Sequence, residues 1–190
     1  MIANEVIQFS ERLQQETESI VNKINGSEKE KTSDIFEDKI VFSSFPQKKD
    51  LERALKGKKG VYLFRITEDC ELTKEQVKAW NDEWGSKFSV LSGVRNISLK
   101  KGDFLYIGSC YSESIYTRVQ SHYSYNYKSG LQLNTKGRQI LKDKVALYAF
   151  PIKKEYYKTK EEGLFAKCIL PIVEKMLDNR LKPKAGSTRT

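Results

Sequence analysis

Gly60-Val61-Tyr62-Leu63-Phe64-Arg65-Ile66 and Phe104-Leu105-Tyr106-Ile107-Gly108 decide how this chain folds. Both runs are apolar, β-branched and aromatic with no period of 3.6, so they read as strands covered on both faces. A third run of the same kind, Val145 to Ile152 (VALYAFPI), lies downstream. Between and beyond these strands the sequence turns helical. TKEQVKAWNDEW (73–84) opens with a Thr cap, residues 115–124 follow the polar loop Ser109–Ser114, and residues 137–143 form a short helix. A long helical segment begins near Thr159 and is expected to break or kink at Pro171. Residues 48–55 fit a further short helix that ends at Gly57. Residues 88–99 carry no clear period. The order is that of an α/β domain: a small three-stranded antiparallel or mixed sheet flanked by helices.

Upstream, Ile2, Val6, Phe9, Leu13, Ile20 and Ile24 form an amphipathic helical stripe, interrupted at Glu16 and stopped at Asn25-Gly26-Ser27. This reads as an N-terminal helical arm and linker over residues 1–55. The arm either packs on the domain at 56–190 or pairs with a partner chain, a second copy included.

Composition narrows the class. The 190 residues hold 34 Lys+Arg against 25 Asp+Glu, a net charge of +9, with a single His and three Cys. An odd Cys count without a CxxC pair argues against a disulfide framework and a Cys-rich zinc site, and for a reducing, cytoplasmic setting. No signal sequence opens the chain and no apolar run is long enough to span a bilayer, so no membrane partner is expected. The charge is unevenly placed. Residues 1–127 carry 19 basic and 19 acidic side chains, whereas residues 128–190 carry 15 and 6. The whole excess therefore sits in the last third, as an anion-binding face would require.

Two strands each place a Tyr close to a Gly, and Arg118 and His122 follow the second one. Four residues apart on a helix, those two side chains share a face. A guanidinium grips a phosphate with two N–H groups, and an imidazole can accept or relay a proton near neutral pH. Tyr62 and Tyr106 would sit on adjacent strands with converging hydroxyls. This ordered set, Gly60-Val61-Tyr62, then Leu105-Tyr106-Ile107-Gly108-Ser109, Arg118, His122, a third strand and a Glu-bearing helix, resembles the GIY-YIG nucleases over roughly residues 58–175. The segment between the triplets exceeds a compact core of that family, so an insertion bearing Trp80 and Trp84 is expected around 67–103.

The resemblance implies a metal-dependent endonuclease of restriction or phage type that hydrolyses phosphodiester bonds in DNA. It also implies that Tyr62, Tyr106 and His122 activate the attacking water, and that one Glu on the last helix holds Mg²⁺ or Mn²⁺. The family commonly places Pro nine residues after that Glu. Both Glu162 (Pro171) and Glu174 (Pro183) meet the spacing, and Glu162 is preferred for its shorter link to the third strand, with Glu174 the alternative. Lys128, Lys136, Arg138, Lys142 and Lys144 interleave with Tyr123, Tyr125 and Tyr127, a pattern suited to nucleic-acid backbone. The other reading of the same residues is a binding module that keeps the fold without catalysis.

Overall fold

The structure is a computed structural model that describes residues 2–26, 33–44, 46–78, 97–123, 131, 133, 141 and 143–185. In chain order its elements are α1 (Ile2–Asn25), β1 (Ile40–Phe42), α2 (Lys48–Leu55), β2 (Gly60–Ile66), β3 (Cys70–Leu72), β4 (Ile97–Leu99), β5 (Phe104–Cys110), α3 (Ile115–Tyr123), β6 (Val145–Pro151), a 3-10 turn (Lys154–Tyr156) and α4 (Lys160–Leu181).

The three apolar runs form the expected strands, with β2 central between β6 and β5, all antiparallel. The sheet has four strands rather than three, because β1 pairs with the outer edge of β6. β3 and β4 form a separate two-stranded ribbon near the two ends of the segment 67–103 expected to be an insertion. Side chains of β2 alternate between two cores, as a pleated strand covered on both faces must. Tyr62, Phe64 and Ile66 pack with α2 and α3, while Val61 and Leu63 pack with α1 and α4. The β2–β5 register slips between Phe64 and Arg65, so Leu105 and Tyr106 both belong to the α3-side core. Such a bulge re-aims a side chain, here Leu105, while Tyr106 stays in register opposite Phe64.

One of the two readings of the N-terminal stripe is seen, and the expectation for Pro171 changes. The N-terminal stripe packs on its own chain: Leu13, Ile20, Val21 and Ile24 share a core with Ile169, Val173 and Leu177 of α4, and Phe9 meets Phe165 edge-on with centroids 6.2 Å apart. Each aliphatic side chain buried this way contributes about 1.5–3 kcal/mol. The interruption at Glu16 is a buried anchor, its carboxylate accepting from the Ser33 hydroxyl and from the Asp34 N–H at 2.9 Å. Pro171, for its part, neither ends nor splits α4, which runs through it. The only ladder bond a proline removes is the one to the carbonyl four residues back, and the burial of Ile169, Leu170 and Val173 holds the helix on both sides of it.

Thr73 opens a helical turn, exchanging bonds with Gln76, and residues 74–78 are helical. Trp80, Trp84 and most of the helix expected at 137–143 lie outside the described residues. Cys70, Cys110 and Cys168 are free thiols. Among the described residues no helix is long and apolar enough to cross a membrane.

Candidate functional site

The two triplets meet across one ladder. Tyr62 stands opposite Gly108, and Gly60 opposite Cys110 on one side and Pro151 on the other. A Cβ on Gly108 would lie 2.6 Å from Tyr62 Oη and 2.8 Å from Tyr106 Cε1. The missing side chain is therefore the slot in which the two rings approach, with centroids 6.2 Å apart. Gly60 has φ +151°, and a Cβ there would run into the Phe150 carbonyl oxygen.

Ser114 caps α3, accepting from Thr117 N at 3.1 Å. The helix then carries Arg118 and His122 on its inner face, one turn apart. His122 is 0 % exposed and lies among the rings of Tyr62, Phe64 and Tyr106. Its Nε2 is 2.7 Å from Tyr62 Oη, and its Nδ1 accepts the Leu131 N–H at 2.8 Å. Burial, aided by the Arg118 charge, pushes its pKa down to about 3. An imidazole that is neutral at physiological pH, with its lone pair already engaged, does not take a proton from water. His122 thus lies behind the cleft with its Nδ1 engaged, a placement that does not favour the proton-accepting role expected for it.

Tyr62 is also 0 % exposed, its ring beside that of Tyr106 and within reach of the Arg118 charge. Burial, then the neighbouring Tyr106, raise the Tyr62 pKa well above the ordinary phenol value. Tyr106 is shifted the same way by burial and then by the Glu174 charge. Burial works against the Arg118 charge, but the tyrosines and Glu113, 3.6 Å away, outweigh it and hold the guanidinium above its ordinary value.

Tyr106 and Arg118 open onto a cleft of about 510 Å³ between α3 and α4, beside β5. Its other wall is α4, which presents Lys167, Pro171 and Glu174. The Ser109 hydroxyl donates to Glu174 Oε2 at 2.5 Å. Tyr111 closes one end, its hydroxyl against Gly163, where a Cβ would collide with it. Cys110 also lines the cleft, but burial pushes its thiol up to about 12, so it is inert.

Glu162, the preferred carboxylate, is elsewhere. It occupies the third position of a capping box at the start of α4, its Oε2 accepting from Thr159 N at 2.9 Å and its own N–H donating to the Thr159 hydroxyl. Twelve residues of helix separate it from Glu174, about 18 Å. The structure thus joins Tyr62, Tyr106, Arg118, His122 and Glu174, and assigns Glu162 to a cap. Lys144 is also remote: it precedes β6, 4.0 Å from Glu68, at the end of β2 opposite Ser109 and roughly 20 Å along the strand. Lys128, Lys136, Arg138 and Lys142 lie outside the described residues.

Sequence reasoning missed Lys167 and Asp178. Lys167 is seven residues before Glu174 and Asp178 four after it, so all three share a helix face, a spacing that was there to be found. Burial and the Glu174 charge raise the Asp178 pKa to about 6. Among the described residues no three His, Cys, Asp or Glu side chains cluster as a metal cage. One carboxylate held by a hydroxyl at the edge of an open cleft suits a hard cation that keeps most of its waters, as Mg²⁺ does, and not a tetrahedral zinc site.

Comparison with protein-family models, with curated proteins and with solved structures finds no match for this chain.

Proposed function

We propose that this chain is a metal-dependent endonuclease that hydrolyses phosphodiester bonds in DNA. The observation that carries the reading is the convergence of Tyr106, Arg118 and Glu174, from a strand and two helices, on one open cleft. Tyr62 and His122 stand directly behind them. The order of Tyr62, Tyr106, Arg118 and His122 along the chain supports it through the resemblance to the GIY-YIG nucleases.

Glu174 would hold Mg²⁺ or Mn²⁺, which when bound supplies positive charge beside the scissile phosphate and lowers the pKa of water there. Ser109 fixes the orientation of that carboxylate. Arg118, permanently charged and braced by Glu113, grips the non-bridging oxygens and neutralises charge as it builds in the transition state. Lys167, about 10 Å along α4 from Glu174, faces a neighbouring phosphate of the strand. The excess of positive charge over residues 128–190 holds the duplex backbone, so binding weakens steeply with salt.

Incubation of the full chain with supercoiled plasmid and Mg²⁺ or Mn²⁺ tests the reading. Wild type is expected to nick or linearise the plasmid. Arg118→Ala and Glu174→Gln are expected to lose on the order of 10²–10³-fold in rate while still shifting DNA on a gel. Plasmid, linear duplex and branched DNA all left intact would overturn it.

A further inference from the structure

We infer that two copies of this chain pair antiparallel through the outer face of α4, about a two-fold axis at Cys168. α4 buries Ala166, Ile169, Leu170, Val173 and Leu177 against the sheet and α1. At about 100° per residue, the opposite side of the helix carries Glu161, Leu164, Cys168, Ile172 and Lys175, all within an arc of about 80°. A helix face turned away from the core is ordinarily polar. The middle of this one is Leu164, 58 % exposed, the exposed Cys168, and Ile172, 42 % exposed, a continuous i, i+4, i+8 row. Such a row is the ridge that seats in the groove of another helix, and nothing among the described residues covers it. Phe165, with the part-exposed Phe9 edge-on against it, widens the patch toward α1.

The occupant follows from how the residues are placed about Cys168. A two-fold axis there carries each position onto the one equally far beyond it in the other copy. Four residues out, Leu164 meets the partner's Ile172. Seven residues out, the exposed Glu161 meets the partner's Lys175, and the axis makes this pair twice. Within one chain these two charges are about 21 Å apart along the helix, too far to pair. A face that is its own complement in both apolar contact and charge is what a two-fold homodimer requires. Parallel pairing would instead set like charge against like at both ends. Lys167, Pro171 and Glu174, which line the cleft, lie about 60–120° round the helix from Cys168, so the cleft stays open beside the interface. One helix face is small beside the interfaces of permanent dimers, so the pair forms with rising concentration.

The test needs no nuclease activity, so it is independent of the phosphodiesterase reading. Sedimentation velocity on the full chain, from micromolar to millimolar concentration, is expected to show monomer giving way to dimer. Cys70 and Cys110 are buried, so a short bismaleimide acts only through Cys168. It is expected to trap a covalent dimer that Cys168→Ser does not give. Leu164→Glu and Ile172→Glu alter exposed positions and are expected to abolish the dimer in both measurements, with the thermal melt of the dilute monomer little changed. Glu161→Lys and Lys175→Glu, made singly, each turn two attractive contacts repulsive and are expected to weaken dimerisation roughly 3- to 30-fold. Made together in one chain they are expected to restore it, a rescue that acts only between copies. A chain that stays monomeric throughout would overturn the inference, as would a dimer indifferent to Leu164→Glu and Ile172→Glu. A dimer weakened by each charge reversal and not restored by both would overturn the antiparallel pairing.

Discussion

Lowering the pH from 7 to 5 loads His122 with a penalty that can be worked out from its surroundings. In the folded chain the ring titrates at about 3, because it is fully buried and faces the Arg118 charge, whereas an unfolded His titrates near 6.5. Between those values the unfolded chain binds the proton and the folded chain does not, so stability falls as pH falls. The contribution is complete above about pH 7 and is lost through the window from 6.5 down to 3. At pH 5 the unfolded state gains about 2 kcal/mol from this one proton, on the order of 1.4 kcal/mol for each unit below 6.5. No screening discount applies to a side chain with no exposure. Urea unfolding at pH 7, 6 and 5, run on wild type and on His122→Gln, isolates the term. Glutamine can donate to Tyr62 and accept from Leu131 but does not titrate, and Asp178, whose raised pKa acts in the opposite sense, is common to both proteins. The gap between the two proteins should close by about 2 kcal/mol on going to pH 5. Parallel pH profiles would refute the buried neutral ring and everything argued from it.

Three other substitutions separate the roles of residues that look alike in the sequence. Gly108→Ala inserts a methyl 2.6 Å from Tyr62 Oη, with ring carbons of both tyrosines also inside contact distance; it is expected to cost about 1–3 kcal/mol in chemical denaturation and to lower the cleavage rate. Glu162→Gln is expected to keep cleavage and to cost at most about 1 kcal/mol, since the amide can still complete the capping box; loss of cleavage would return the metal to Glu162. Lys167→Ala should weaken DNA binding evenly across sequences and reduce the slope of log affinity against log salt by about one, measured by fluorescence anisotropy. An unchanged slope would remove Lys167 from the backbone contacts.

The sheet was legible where the sequence carries continuous apolar runs, because strands covered on both faces cannot afford polar positions. β1 was not, since three half-covered residues at an edge leave no pattern to read. The Arg118–His122 spacing placed both side chains correctly, yet it could not tell that one ends in the cleft and the other behind it. That difference arises from the rings of β2 and β5 around His122. The carboxylate was misjudged for a geometric reason. Distance along the chain from β6 favoured Glu162, but α4 begins away from the site and passes Ser109 only in its second half, so the later Glu arrives there. Proline at 171 suggested a break because local rules weigh a single lost hydrogen bond, whereas the buried face of α4 decides.

Among the described residues, the edge of β5 away from β2 has two halves. Lys184 and Ala185 give their N–H groups to the Phe104 and Leu105 carbonyls, sealing the first half. The second half borders the cleft, among Glu113, Arg118, Lys167 and Glu174. An unpaired strand edge invites another chain to add a strand, and charged side chains are a common guard against it. Groups proposed here to handle a phosphodiester thus also stand as charges beside the part of this edge that no described strand pairs. Neutralising several of them at once, as inactive variants made for complex formation often do, should cost solubility as well as activity, and a single substitution such as Glu174→Gln is the safer choice.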